Sequence, residues 1–212
     1  MKTGFHLPVS KSFLLYIGIV ASIAVSGCQD TKSSKTLEEQ TKKALSEDEY
    51  IERGKYLVEV IGCADCHSPK RMGERGPEII PELALSGFQA DSALPSFPAE
   101  VQKSGWMLMN SDLTAAIGPW GISYASNLTP DESGIKNWDL DRFKVAIRDG
   151  KYKGMKNGRM LLPPMPWQNY AQLSDEDLKA IFLHLQSIPP VQNAVPSAIP
   201  PSQLDSLQQN SN

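Results

Sequence analysis

The chain has 212 residues, of which 41% are hydrophobic, 21% charged and 8% aromatic. That composition excludes a collagen-like or wholly disordered chain, and the length suits one domain with appendages. Twenty-one Lys and Arg against 24 Asp and Glu leave a formal charge of −3, which argues against a nucleic-acid partner. Three cysteines are too few for a disulfide scaffold, and their odd number needs its own explanation.

Lys2 and Lys11 flank the start of an apolar run, Phe13 to Val25. As a helix this run spans about 20 Å, short of the roughly 30 Å hydrocarbon core. A positive start, a short apolar stretch and small residues read as a secretory signal rather than a membrane span. The segment closes on Val25-Ser26-Gly27-Cys28, which resembles a bacterial lipoprotein signal. That resemblance implies removal of residues 1–27 and lipidation of Cys28, an anchor of several acyl chains. The plain alternative is cleavage nearby, leaving Cys28 a free thiol. Gln29 after the cysteine slightly favours the outer membrane over the inner. Residues 28–45 are polar and suit a flexible tether.

The sequence predicts a folded unit over 46–189 and a disordered Pro/Gln/Ser tail over 190–212. Ser46 to Glu49 forms a capping box, and Tyr50, Gly54, Leu57, Val58 and Ile61 then fall on one helical face. Gly54 costs that helix about 1 kcal/mol relative to Ala, recoverable where a second helix approaches closely. A further helix is predicted from the cap Asp139 to Gly150, burying Leu140, Phe143 and Ile147. The last opens at Ser174, carries Leu178, Ile181, Phe182, Leu185 and Ile188, and stops at Pro189-Pro190. No segment alternates with period two, so the fold class expected is all-α.

Directly after the first helix stands Cys63-Ala64-Asp65-Cys66-His67. The spacing C-x-x-C-H is the attachment signature of c-type haem. Two thiols about one helical turn apart add to the two vinyl groups of one porphyrin, and the histidine supplies the proximal nitrogen. The rivals are weaker. A thioredoxin-type C-x-x-C expects a βαβ setting, and structural zinc needs four ligands, whereas the domain offers Cys63, Cys66, His67 and the remote His184. With Cys28 on lipid and two thiols on porphyrin, every cysteine is used.

Iron in such a site takes His or Met as its sixth ligand. Of Met72, Met107, Met109, Met155, Met160, Met165 and His184, the sequence singles out Met165. It sits in Leu162-Pro163-Pro164-Met165-Pro166-Trp167, where prolines fix φ and bias each preceding residue away from helix. A stiff strap of this kind holds a thioether in place. The other methionines read as core filling, and His184 lies on the flank of its helix.

Tyr124 to Asp131, then Gly134-Ile135 and Trp138, resemble the haem domains of bacterial dehydrogenase cytochrome subunits. So do Pro163 to Trp167 and Leu173 to Leu178. The resemblance covers about residues 50–68 and 119–191. It implies a class I cytochrome c fold with Cys63, Cys66 and His67 proximal and Met165 distal. Two departures stand out: a single C-x-x-C-H, hence one haem, and an unmatched stretch, 77–118, that would shield the haem or form a partner surface. Trp138 and Arg148 are expected to donate to the haem propionates. Residues 142–159 hold seven cations against Asp149 alone, a basic edge suited to an acidic partner.

The expected function is electron transfer by a lipid-anchored, periplasm-facing monohaem cytochrome, not an enzyme, serving a dehydrogenase, another cytochrome or an oxidase. The alternatives are a fixed cytochrome subunit of such a complex, or a sensor or peroxidase with an open sixth position.

Overall fold

In the computed structural model, which describes residues 45–98 and 100–204, the folded part opens with helix α1, Glu47–Val60. The Ser46 amide donates to the Glu49 carboxylate at 2.7 Å and the Glu49 amide returns to the Ser46 hydroxyl at 3.3 Å, so the capping box is complete. Tyr50, Gly54 and Val58 are buried along one face. They meet the closing helix of the core, Asp175–Ser187, whose first turn is capped by Ser174 and whose buried stripe includes Leu178, Ile181, Phe182 and Leu185. Gly54 is the point of closest approach. A Cβ there would collide with the Ala180 carbonyl, so only glycine lets the two backbones meet. Arg53 and Asp177 then close an ion pair beside the crossing, with the Arg53 Nε at 2.7 Å from the carboxylate.

Between these helices the chain forms α2 (Cys63–His67), the antiparallel hairpin β1 (Lys70–Gly73) and β2 (Gly76–Ile79), and the antiparallel sheet β3 (Leu108–Met109), β4 (Ala115–Gly118) and β5 (Gly121–Tyr124). It continues through α3 (Leu140–Arg148), a 3-10 turn at Tyr152–Gly154, and α4 (Trp167–Tyr170); the closing helix is therefore α5. The expected all-α class is thus corrected to mixed helices and antiparallel sheets. Period-two alternation failed as a signal for a physical reason. All four residues of β4 and three of β5 are buried, so these strands show a continuous small and apolar run rather than alternation. In β1 and β2 neither face reaches the core.

The segment after α5 departs from expectation as well. Residues 190–204 are laid along the domain rather than loose. Ile199 exchanges backbone hydrogen bonds with Ile122 of β5, at 2.8 and 2.9 Å. The buried Asn193 side chain donates to the Ser86 and Phe88 carbonyls and accepts from the Ala90 amide. Leu204 completes a small second core with Val101, Ile117 and Ile122. An extended chain that pairs one residue at a time leaves no periodic trace.

Candidate functional site

A cavity of about 550 Å³ lies between α2, β4–β5, α3 and the 161–166 segment. Cys63, Cys66 and His67 are on its wall, and so is Met165. α2 presents the first three together because two cysteines three apart fall about one turn from each other, and His67 ends that turn. The thiols are unpaired. Burial pushes the Cys63 thiol up to about 11, and burial also raises Cys66, against the opposing pull of Lys70. Both are therefore protonated at neutral pH. A redox-active C-x-x-C needs the opposite, a thiol acidified toward thiolate; the antiparallel sheets likewise give no βαβ setting.

The imidazole of His67 is fixed by one contact, Nδ1 to the Ser126 carbonyl at 2.7 Å. A carbonyl only accepts, so Nδ1 carries the hydrogen and donates, which leaves the lone pair on Nε2. Burial holds the ring below its usual pKa, with the Ser126 contact opposing. A neutral imidazole oriented through its second nitrogen is the form a metal ligand takes. Ser126 stands in the Tyr124 to Asp131 run, in which Asn127 and Thr129 are buried: Asn127 accepts from the Thr129 amide at 2.9 Å and donates to the Val191 carbonyl at 2.8 Å. That run thus holds both the histidine and the chain after α5.

Opposite lies the proline strap. Ser123 of β5 donates to the Pro163 carbonyl at 2.6 Å, and the Trp120 indole donates to Ser123 at 3.1 Å. Met165 is one of two methionines on the wall; Met109 of β3 is the other, and core filling had been expected of it. Met72, Met107, Met155 and Met160 are exposed and off the wall, so core filling is corrected for these four. His184 is off the wall too, beside Gly54 on α5. The unmatched stretch 77–118 supplies Met109, Leu113, Thr114, Ala115 and Ala116 to the lining, and the last three are small enough to leave room for a flat ring.

Trp138 lines the cavity. Arg148 does not, and the expectation that it donates to the propionates is corrected. Its guanidinium is committed to the Ala171 and Leu173 carbonyls at 3.0 and 2.9 Å and to Asp175. These bonds fasten α3 to the loop before α5. The cations on the wall are Arg142, Lys153 and Arg159. Arg142 stacks over Trp138 at 4.7 Å, four residues on along the helix-start face, and Arg159 over Tyr152 at 3.7 Å. Spacing from Trp138 is the signal that would have found Arg142. Nothing local in the sequence marks Arg159.

Among the described residues no cluster of three or more His, Cys, Asp and Glu side chains is arranged to hold a bare metal ion. Two thiols, an oriented imidazole, a thioether and apolar walls instead fit a macrocyclic metal group attached through sulfur.

Comparison with known proteins agrees with that chemistry. The chain is homologous to cytochrome c subunits of bacterial dehydrogenases. It is 39% identical over 155 residues to the cytochrome c subunit of the quinone alcohol dehydrogenase of Gluconobacter oxydans, covering 71% of this chain and 24% of that one. It is 30% identical over 149 residues to the gluconate 2-dehydrogenase cytochrome c subunit of Pantoea cypripedii, covering 69% and 25%, and 29% identical over 138 residues to the fructose dehydrogenase cytochrome subunit of Gluconobacter japonicus, covering 65% and 21%. The chain spans about a quarter of the length of these relatives. No family model matches it.

Proposed function

We propose that the chain is an electron-transfer protein, a c-type cytochrome with one haem joined to Cys63 and Cys66 and its iron held between His67 and Met165. When bound, the haem supplies a one-electron couple and no bond chemistry on a substrate is required. The chain does the rest. The Ser126 carbonyl keeps the imidazole in one tautomer and orientation. The strap, tied to Ser123, holds the thioether of Met165 at the cavity. Apolar walls exclude water, which favours the neutral over the charged state and sets the potential with the ligands.

The observation that carries this reading is the meeting of Cys63, Cys66, His67 and Met165 on one apolar cavity. Mass spectrometry of the matured chain should show both thiols carrying one haem; unmodified thiols end the proposal. Met165→Ala should abolish the long-wavelength Met–iron absorption of the oxidised protein. An unchanged spectrum would move the ligand to Met109, the other methionine on the wall.

A second reading is supported by the relatives, which are cytochrome subunits of dehydrogenases. The chain would then be a fixed relay within a dehydrogenase or oxidase complex, and co-purification of a larger oxidoreductase separates this from a free shuttle. We also propose attachment to the cell envelope through lipid on Cys28, facing the periplasm. Cys28, the signal and the tether up to residue 44 lie outside the described residues. Among the described residues no helix is long and apolar enough to cross a membrane. Detergent-phase partition that Cys28→Ala abolishes would support the anchor.

A further inference from the structure

The seven cations between Arg142 and Arg159 do not act as one patch. Lys144 and Arg148 share Asp175, the first at 2.9 Å, and its one carboxylate offsets one of their two charges. Arg142 is turned inward over Trp138, with its Nε on the Lys153 carbonyl at 2.9 Å. The remaining four, Lys151, Lys153, Lys156 and Arg159, sit on a single loop, 150–161. Their visible contacts are to carbonyls and ring faces rather than carboxylates: Lys151 to the Gly158 carbonyl, Arg159 to the Met160 carbonyl and over Tyr152, and Lys153 over the same ring. None of these partners cancels a charge. No acid occurs between Asp149, at the foot of the loop, and Asp175.

The loop is also stiff. Its two ends are joined by the Lys151–Met160 bridge, by Tyr152 N–H to the Arg159 carbonyl at 2.9 Å, and by Leu161 N–H to the Gly150 carbonyl at 2.6 Å. It has two faces. Tyr152, Lys153 and Arg159 reach the cavity wall, while Met155 and Met160 are exposed at 49% and 41% with Lys156 exposed beside them. Two exposed thioethers beside cations whose contacts among the described residues are to uncharged groups, at the rim of the cavity, have the composition of a transient docking surface: an apolar centre with a charged margin.

We infer that loop 150–161 is the docking surface for an acidic redox protein, which seats its acidic patch on Lys153, Lys156 and Arg159 and covers Met155 and Met160. The inference rests on the electron-transfer reading above and adds the chemistry of the partner. The chain as a whole is acidic, so this loop is the positive end of a charge asymmetry. Such asymmetry orients an acidic partner before contact and raises the association rate more than the affinity.

The test is stopped-flow electron transfer from the reduced holoprotein to an acidic plastocyanin used as a surrogate acceptor, at several ionic strengths. Lys156→Glu should lower the second-order rate roughly 3–10-fold at low salt and flatten its salt dependence. Met155→Gln with Met160→Gln should lower the rate while leaving the salt dependence steep. Lys55→Glu, an equal charge change on the exposed side of α1, is the control and should have little effect. Equal losses for Lys55→Glu and Lys156→Glu would show that net charge alone acts and would overturn the inference, as would no loss for Lys156→Glu. Each variant is first checked for haem by its reduced absorption spectrum. Absence of haem from the parent chain would strike the electron-transfer reading itself, a different result from a haem protein indifferent to this loop.

Discussion

Ser123 of β5 donates its hydroxyl hydrogen to the carbonyl of Pro163, 2.6 Å away, and so ties the sheet to the strap that carries Met165. The bond crosses from a strand beside the unmatched stretch to the segment most legible in the sequence, and the Trp120 indole supports it from behind. Ser123→Ala should cost about 1 kcal/mol or less, the net worth of one hydrogen bond, because Pro163 is exposed and water can replace the hydroxyl. Urea denaturation measures that loss. The Met–iron absorption of the oxidised protein should weaken in the same variant, because the strap loses its fixed distance from the wall. A spectrum and a midpoint both unchanged would show that the prolines hold the strap unaided.

Gly54 gives a second expectation. Alanine would gain about 1 kcal/mol of helix propensity but would drive its Cβ into the Ala180 backbone. Overpacking against backbone costs about 1–3 kcal/mol, and a carbonyl in a regular helix cannot step aside. Gly54→Ala should therefore lower the denaturation midpoint on balance, and Gly54→Leu should prevent folding. A more stable Gly54→Ala protein would mean that α1 and α5 separate at little cost.

What the sequence made legible follows the physics of each element. Helices α1, α3 and α5 are amphipathic and capped by Ser46, Asp139 and Ser174, so both their period and their starts are written locally. The C-x-x-C-H and the proline strap are local too, since neighbours in the chain are neighbours on the wall. The sheets were hidden because β4 is buried on both faces and only four residues long. Ser126, Arg142 and Arg159 were missed because their roles are set by tertiary position. Ser126 acts through its backbone, which any residue type shares. Arg148 misled for the converse reason: an arginine near an anionic group and an arginine capping carbonyls are the same letter.

Arg148 itself yields a third expectation. Its planar fork reaches two carbonyls and one carboxylate at once, a geometry lysine cannot copy. Arg148→Lys should destabilise the fold by roughly 1–2 kcal/mol while leaving the reduction potential and its pH dependence unchanged. Arg159→Lys, on the cavity wall, should do the reverse. Potentiometry on the two variants separates a fastener from a residue that faces the haem site. A shifted pH dependence in Arg148→Lys would return it to the propionates.

The Arg53–Asp177 pair makes stability depend on acid. Burial raises the Asp177 pKa, but the Ser174 hydroxyl and the Arg53 guanidinium outweigh it and hold the carboxyl below its ordinary value. A carboxylate more acidic folded than unfolded contributes its full stability above the unfolded value, and that contribution fades as pH falls through the lower, folded value. Arg53 is half exposed, so the pair is worth under about 1 kcal/mol at neutral pH. Asp177→Asn should lower the urea midpoint at pH 7 by that modest amount and should converge with the parent chain only as pH falls through the lowered value of the folded carboxyl, where the parent side chain loses its charge too. Salt should narrow the gap at pH 7, because the guanidinium is open to solvent. A difference that persists undiminished in acid would assign the loss to the cap of α5 at Ser174 rather than to the ion pair between the two helices.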